Sequence, residues 1–279
     1  MGENLQIKTF PQNSKKLNKN KVEFKNIFKL KKQKEISMKE DLSYAEAITK
    51  VMLENGYIAP LKLLYKDVFK YKDSSKIVGK TPIDTIRGEV QKNKKFTRVG
   101  LGIYALSDKL DLLQKQETPK TEKEKLASRH GEIQGMLLEL GNSLEEVSET
   151  YTNDKKFIFN KKPLGSICTL RNVPPFTYEH IIKDSVSFID VVWFNERMFP
   201  SKVFEVENST NFRDAFIKFM ELQDFQTKFI CVAPNERKSK FEREINKIAF
   251  SPIQNRVQFY SYEDVEHDYN LGLQKFRML

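Results

Sequence analysis

The sequence predicts a two-part chain: a small, mainly α-helical module, then a larger α/β (α+β) domain whose mixed sheet is flanked by helices in the order αβββαβ. Three observations predict it. The 279 residues amount to nearly two domains at about 150 residues each. The excess positive charge lies wholly in front: residues 1–40 carry net +7, 41–110 net +5 and 111–279 net −2. Behind residue 125, apolar runs with strand spacing alternate with amphipathic stretches of helical spacing. With 39% hydrophobic residues and 21 Phe against 11 Gly, the composition permits a packed core and excludes collagenous or low-complexity chains.

Several classes fall away early. No run of about 18 apolar residues exists, so no membrane span is expected, and MGENLQIKTF lacks the apolar centre of a secretory signal. Cys168 and Cys231 allow at most one disulfide and no cysteine metal cluster; both are expected to be buried thiols in a cytoplasmic protein. No Walker loop, no GxSxG elbow around Ser201, Ser209 or Ser251, and no zinc spacing among His130, His180 and His267 is present. A basic front half over a neutral back half points to a polyanion partner, foremost nucleic acid.

Residues 1–40 read as a basic tail, with Phe24, Ile27 and Phe28 as candidate docking side chains. From Ser43, SYAEAITKVMLENG places Ala45, Ile48, Val51 and Met52 on one helical face and stops at Gly56. APLKLLYKDVFKY is a second short helix. In TPIDTIRGEVQKN, Thr81 is the N-cap, Pro82 the first helical residue and Asp84 a first-turn acid. KFTRVGLGIYAL then alternates around Gly100 and Gly102 as a hairpin. Three helices and a two-stranded wing make a winged helix-turn-helix plan, in which the third helix enters the major groove.

These residues, and above all GKTP and the VGxGxYxL wing, make 41–108 resemble the HARE-type winged helix-turn-helix domain. The resemblance implies DNA contact by Thr85, Arg87, Gln91 and Lys92 on the third helix, helped by Lys94, Lys95 and Arg98. Arg and Gln side chains suit base edges, whereas Lys chiefly holds phosphate.

Residues 109–125 are a charged linker. A helix over about 122–140 carries Ile133, Met136, Leu137 and Leu140 and closes on Gly141. Strands follow at 155–160, 186–194 and 202–207. A helix runs over about 210–223, capped by Ser209 or Thr210, then a strand at 227–233, a helix near 236–248 and a strand at 255–262. Trp193 is expected in the core.

Two acidic sites interrupt apolar strands: Asp190 in SFIDVVWF, and Glu205 and Glu207 around Val206 in VFEVENS. Residues two apart share a face of a strand, so Glu205 and Glu207 point together, and a hairpin between the strands brings Asp190 to them. An isolated acid in a strand is more often a solvent-facing one. Three clustered carboxylates raise one another's pKa and offer the hard oxygen ligands that Mg²⁺, or Mn²⁺ in its place, requires.

That order of elements, with ID at one strand end and ExE on the next, resembles the PD-(D/E)XK nuclease superfamily over about 126–262, within a nuclease-like domain of 126–279, most narrowly a type II restriction endonuclease. The resemblance implies that Asp190 and Glu205 hold the metal, with a helix-one acid, Glu132 or Glu139, joining them. One departure stands out: the superfamily's lysine two after the second acid is Glu207 here. Either Glu207 serves in its place, or Lys218 on the following helix reaches the site; Gln223 is a weaker candidate. The function expected is a Mg²⁺-dependent endonuclease on double-stranded DNA, a homodimer if it cuts both strands, with a cognate DNA methyltransferase as a companion. The alternative is a non-catalytic DNA-binding regulator or a DNA-modification sensor.

Overall fold

The computed structural model describes residues 41–73, 77, 81–113, 118–208 and 211–277. The expected basic tail and the expected caps Ser209 and Thr210 lie outside these residues. The first helix, α1 (Tyr44–Glu54), opens with a capping box: the Glu46 carboxylate accepts the Ser43 N–H at 2.9 Å, and the Ser43 hydroxyl accepts the Glu46 N–H at 3.3 Å. Its buried face is Ala47, Ile48, Val51 and Met52; Ala45, expected there, is half-buried. The helix is capped by Asn55, and the chain reverses through Gly56 and Tyr57, both at positive φ (79° and 72°).

The reversal starts β1 (Ile58–Pro60), followed by α2 (Leu61–Asp67) and a 3₁₀ turn over Val68–Tyr71. Helix α3 (Pro82–Lys92) begins at Pro82 as predicted and buries Ile86 and Val90. The hairpin is β2 (Phe96–Gly100) and β3 (Ile103–Leu106). Strand β1 pairs antiparallel with β3, giving a three-stranded sheet in the order β1-β3-β2 where two strands were expected.

Helix α4 (Glu122–Ser143) opens with a second capping box, Thr121 with Glu124. It does not close at Gly141. That glycine is interior, and a Cβ there would lie 2.5 Å from Trp193 Nε1; its role is close packing of helix on sheet. The Trp193 indole N–H donates to the Leu137 carbonyl at 3.2 Å.

The first strand of the main sheet is β4 (Glu149–Thr152), which the sequence reading missed. Its fully buried Thr150 and Thr152 give no apolar period, because Thr150 is satisfied by hydrogen bonds to Thr169 and Asn142. The expected strand over 155–160 is only β5 (Ile158–Phe159), paired with β6 (Lys162–Pro163) in a separate ribbon. Its apolar pattern has another cause: Phe157 and Phe159 lie over Gly131 and Gly135 of α4.

Short helices α5 (Leu164–Ile167) and α6 (Glu179–Asp184) precede β7 (Val191–Phe194) and β8 (Pro200–Val206). Then come α7 (Phe212–Met220), capped by Asn211, β9 (Lys228–Ala233), α8 (Lys238–Ile245), β10 (Val257–Ser261) and α9 (Tyr262–Arg277). The sheet order is β10-β9-β8-β7-β4, antiparallel across β4, β7 and β8 and parallel across β8, β9 and β10. This is the predicted mixed sheet flanked by helices, with the first strand relocated and α9 added.

Alternation along the strands builds two cores. Val191, Trp193, Phe204 and Val206 pack with Leu137, Leu138 and Val265 from α4 and α9. Val192, Val203, Phe229 and Cys231 pack with Phe216, Phe219 and Phe241 from α7 and α8. Both cysteines are free and buried, and burial pushes the Cys168 thiol up to about 11.

The front module is fastened to the sheet domain by buried polar contacts. Lys162 and Glu139, both fully buried, pair at 2.9 Å. Glu139 also accepts the Leu101 N–H at 2.7 Å and the Tyr269 hydroxyl at 2.8 Å, and Lys162 donates to the Val99 carbonyl at 2.7 Å. Lys62 caps the end of α4, donating to the carbonyls of Gly141 (3.2 Å) and Leu144 (2.6 Å) and to that of Val147. Among the described residues no helix is long and apolar enough to cross a membrane.

Candidate active site

Asp190 stands one residue before β7, after a 3₁₀ turn over Val186–Phe188. It is 7% exposed, and every partner donates to it. Oδ2 accepts the Val206 N–H at 2.8 Å; Oδ1 accepts Gln134 Nε2 at 2.9 Å and Asn153 Nδ2 at 3.1 Å, with His130 Nε2 at 3.4 Å. Burial pushes the carboxyl up, but the His130 hydrogen bond and charge, the Val206 amide and Lys218 outweigh it and hold the pKa below its ordinary value. Asp190 is thus a fixed carboxylate.

Glu205 lies within β8 opposite Cys231 of β9 and is 3% exposed. Its Oε2 accepts Lys218 Nζ at 2.7 Å, while Oε1 is buried without a hydrogen-bond partner. Burial and the Asp190 charge push its pKa well above the ordinary value, against Lys218. Two neighbouring carboxyls are therefore driven apart, one charged and the other inclined to hold a proton.

Glu207 follows β8, buried, its N–H donating to the Val232 carbonyl at 2.7 Å and its carbonyl accepting from Arg237 at 3.0 Å. Its charge acts on both Glu205 and His130. Among the described residues no group of three His, Cys, Asp or Glu side chains is drawn together as metal ligands, so the expected cluster of three resolves into an Asp190–Glu205 pair with Glu207 near it.

Lys218 reaches the pair from α7, bonding Glu205 and the Phe188 carbonyl (3.0 Å). Glu132 turns to its own helix, accepting from Ser128 at 3.0 Å with Arg129 at 3.5 Å, and Glu139 is spent on Lys162. Gln223 is exposed beyond the end of α7.

Sequence reasoning missed His130, Gln134 and Asn153. His130 and Gln134 stand four apart on α4, one above the other on a single face, which was a readable signal; Asn153, just past β4, carried none. Gln134 is fully buried with Oε1 unpartnered. For His130, burial disfavours the charged form, but the hydrogen bond and charge of Asp190, with Glu207 and Asp154, raise its pKa.

In the front module, Thr85, Arg87, Gln91, Lys92, Lys94 and Lys95 are exposed and Arg98 is half-buried. Arg87 Nε donates to the Tyr65 hydroxyl at 2.9 Å. A cleft of about 1170 Å³ between α3 and the turn after α4 is lined by Lys62, Lys66, Arg87, Gln91, Lys92 and Arg98, among others. It lies toward the end of α4 remote from Gln134, about 15 Å along that helix at 1.5 Å per residue.

Residues 111–278 match the family described as the type II restriction enzyme NmeDI C-terminal domain. A similar protein is the type II restriction enzyme NmeDI of Neisseria meningitidis serogroup C, 26% identical over 158 residues. That alignment covers 53% of this chain and 44% of that protein, so the chain matches less than half the length of this relative. No solved structure matches the chain significantly. With more than half of its residues inside the family's bounds, the chain belongs to the family of the type II restriction enzyme NmeDI C-terminal domain.

Proposed function

We propose that the chain is a divalent-metal-dependent endonuclease acting on double-stranded DNA, a type II restriction enzyme with a PD-(D/E)XK-like catalytic end. The observation that carries this is the buried Asp190–Glu205 pair with Lys218 bonded to its second member, in a chain of a restriction-enzyme family. A buried carboxylate oxygen with no hydrogen-bond partner, Glu205 Oε1, beside a second, charged carboxylate is a hard donor set that fits Mg²⁺ or Mn²⁺. Asp190 and Glu205 are the residues that would hold it. Bound there, the ion would supply an activated water and charge neutralisation at the phosphodiester.

The chain's own residues prepare that chemistry. His130, Gln134 and Asn153 fix the Asp190 carboxylate by donating to it. Lys218 donates to Glu205 and brings a cation to where a phosphate would enter. Glu207 occupies the position of the superfamily's lysine, and Lys218 takes over the positive charge.

The front module is read as a winged helix-turn-helix of HARE type. Thr85, Arg87, Gln91, Lys92, Lys94, Lys95 and Arg98 then contact DNA, the lysines through phosphates. One site per chain favours a homodimer for cutting both strands, and a cognate DNA methyltransferase would protect host DNA. A second reading, a DNA-binding regulator or modification sensor without cleavage, draws on Glu207 replacing lysine. The test is digestion of a mixed genomic and phage DNA panel, methylated and unmethylated, with Mg²⁺ and with EDTA. Discrete fragments with Mg²⁺ alone support the nuclease; binding without cleavage under every condition favours the second reading.

A further inference from the structure

Phe188 is an exposed aromatic at the edge of the carboxylate pair. It is 58% exposed, whereas Val186 and Ile189 beside it are fully buried. Its mount is rigid. The Tyr151 hydroxyl donates to the Ser187 carbonyl at 3.0 Å, and the Ser187 hydroxyl donates to the Lys183 carbonyl at 2.7 Å. The Phe188 carbonyl accepts two side chains, Asn153 Nδ2 at 2.9 Å and Lys218 Nζ at 3.0 Å. Those same two nitrogens donate to Asp190 Oδ1 (3.1 Å) and Glu205 Oε2 (2.7 Å). The backbone that carries the exposed ring is therefore held to both carboxylates through one shared atom on each side.

A ring so placed adds nothing to either core, and a free anion at the pair would have no use for it. A nucleic-acid strand does: beside each phosphate it presents the apolar edge of a deoxyribose, which stays open to packing in a duplex, and where the strand is unstacked at the cut it also presents a base face on which an aromatic ring stacks without regard to sequence. We propose that Phe188 is a substrate-contacting residue, its ring packing against the nucleotide next to the phosphodiester at the Asp190–Glu205 pair. This rests on the nuclease reading above.

The test compares full-length wild type with Phe188→Ala, Phe188→Trp, Asp190→Ala and Ile248→Ala, the last a 92% exposed apolar residue elsewhere. Three quantities are read: thermal melting, cleavage of the phage DNA panel with Mg²⁺, and affinity for fluorescein-labelled fragments of that DNA in EDTA. Phe188→Ala is expected to melt with wild type yet lose about ten-fold in cleavage and binding together. Phe188→Trp recovers both to within about two-fold, and Ile248→Ala changes neither. Phe188→Ala matching Ile248→Ala in cleavage and binding overturns the proposal, even where Asp190→Ala is inactive. Should Asp190→Ala cleave like wild type, the nuclease reading of the pair fails, and the binding arm still decides Phe188. A wild type that neither binds nor cuts DNA overturns both.

Discussion

Lys218 Nζ lies 2.7 Å from Glu205 Oε2, the cation entering from α7 to meet a carboxylate that is only 3% exposed. Removing one partner of such a pair leaves the other buried and uncompensated. Lys218→Met is expected to lower DNA cleavage at least about 100-fold, the scale of losing one charge-stabilising donor. Lys218→Arg should retain part of it. Initial-rate assays with the melting temperature measured alongside separate this from a folding defect.

Glu139 and Lys162 are a different kind of pair, fully buried and joined to the β2–β3 hairpin by Leu101 and Val99. Glu139→Leu alone strands the Lys162 charge and should cost about 3–5 kcal/mol. Adding Lys162→Met should recover only part of that loss: it removes the stranded charge, but the Leu101 N–H, the Tyr269 hydroxyl and the Val99 carbonyl are left without these partners. Urea unfolding of the single and double variants reads the difference.

Gly141 faces the Trp193 indole so closely that a Cβ would sit 2.5 Å from Nε1. Gly141→Ala should therefore destabilise by about 1–3 kcal/mol through overpacking, despite alanine's better helix propensity. An uncrowded control, Gly88→Ala, where nothing lies within 4 Å of the added carbon, should be neutral or stabilising by up to about 1 kcal/mol. Thermal melts with opposite signs at the two glycines are the expected result.

The His130 pKa is raised in the folded chain: burial lowers it, and the Asp190 bond and neighbouring acids more than reverse that. The folded state then binds the proton more tightly than the unfolded state, so the stabilisation is fully present below the ordinary histidine value. It is lost as pH rises through the raised one. His130→Asn is expected to cost on the order of 1–2 kcal/mol at pH 5.5, the worth of a charged hydrogen bond. The gap to wild type should narrow at pH 8.5 or above. A gap that widens with pH contradicts the assignment.

Much of this was legible in the sequence because side-chain period and capping are local. Ser43, Thr81–Pro82 and the amphipathic run ending at Lys92 place the front helices, and the apolar runs ending in Phe194, Val206, Ala233 and Ser261 place four of the five sheet strands. Strand β4 was hidden because its two buried threonines break the apolar pattern, Thr150 being held by hydrogen bonds instead of apolar contact. Gly141 looked like a helix stop because a sequence cannot distinguish a terminating glycine from one that admits an indole. Within the candidate site, the acids and Lys218 stand out as charges in apolar surroundings. Asn153 and Gln134 do not, since an amide shows its purpose only once the carboxylate it bonds is beside it.

In the proposed nuclease, Asp190 and Glu205 carry a metal-dependent cleavage of DNA. Its most direct measurement is the digestion rate of the DNA panel with Mg²⁺ by wild type, Asp190→Ala and Glu205→Ala, with duplex affinity measured on the same proteins in EDTA. The account predicts discrete fragments from wild type, cleavage reduced by about 10³-fold or more in each variant, and duplex affinity within a few-fold of wild type. Either variant cutting at the wild-type rate would contradict it.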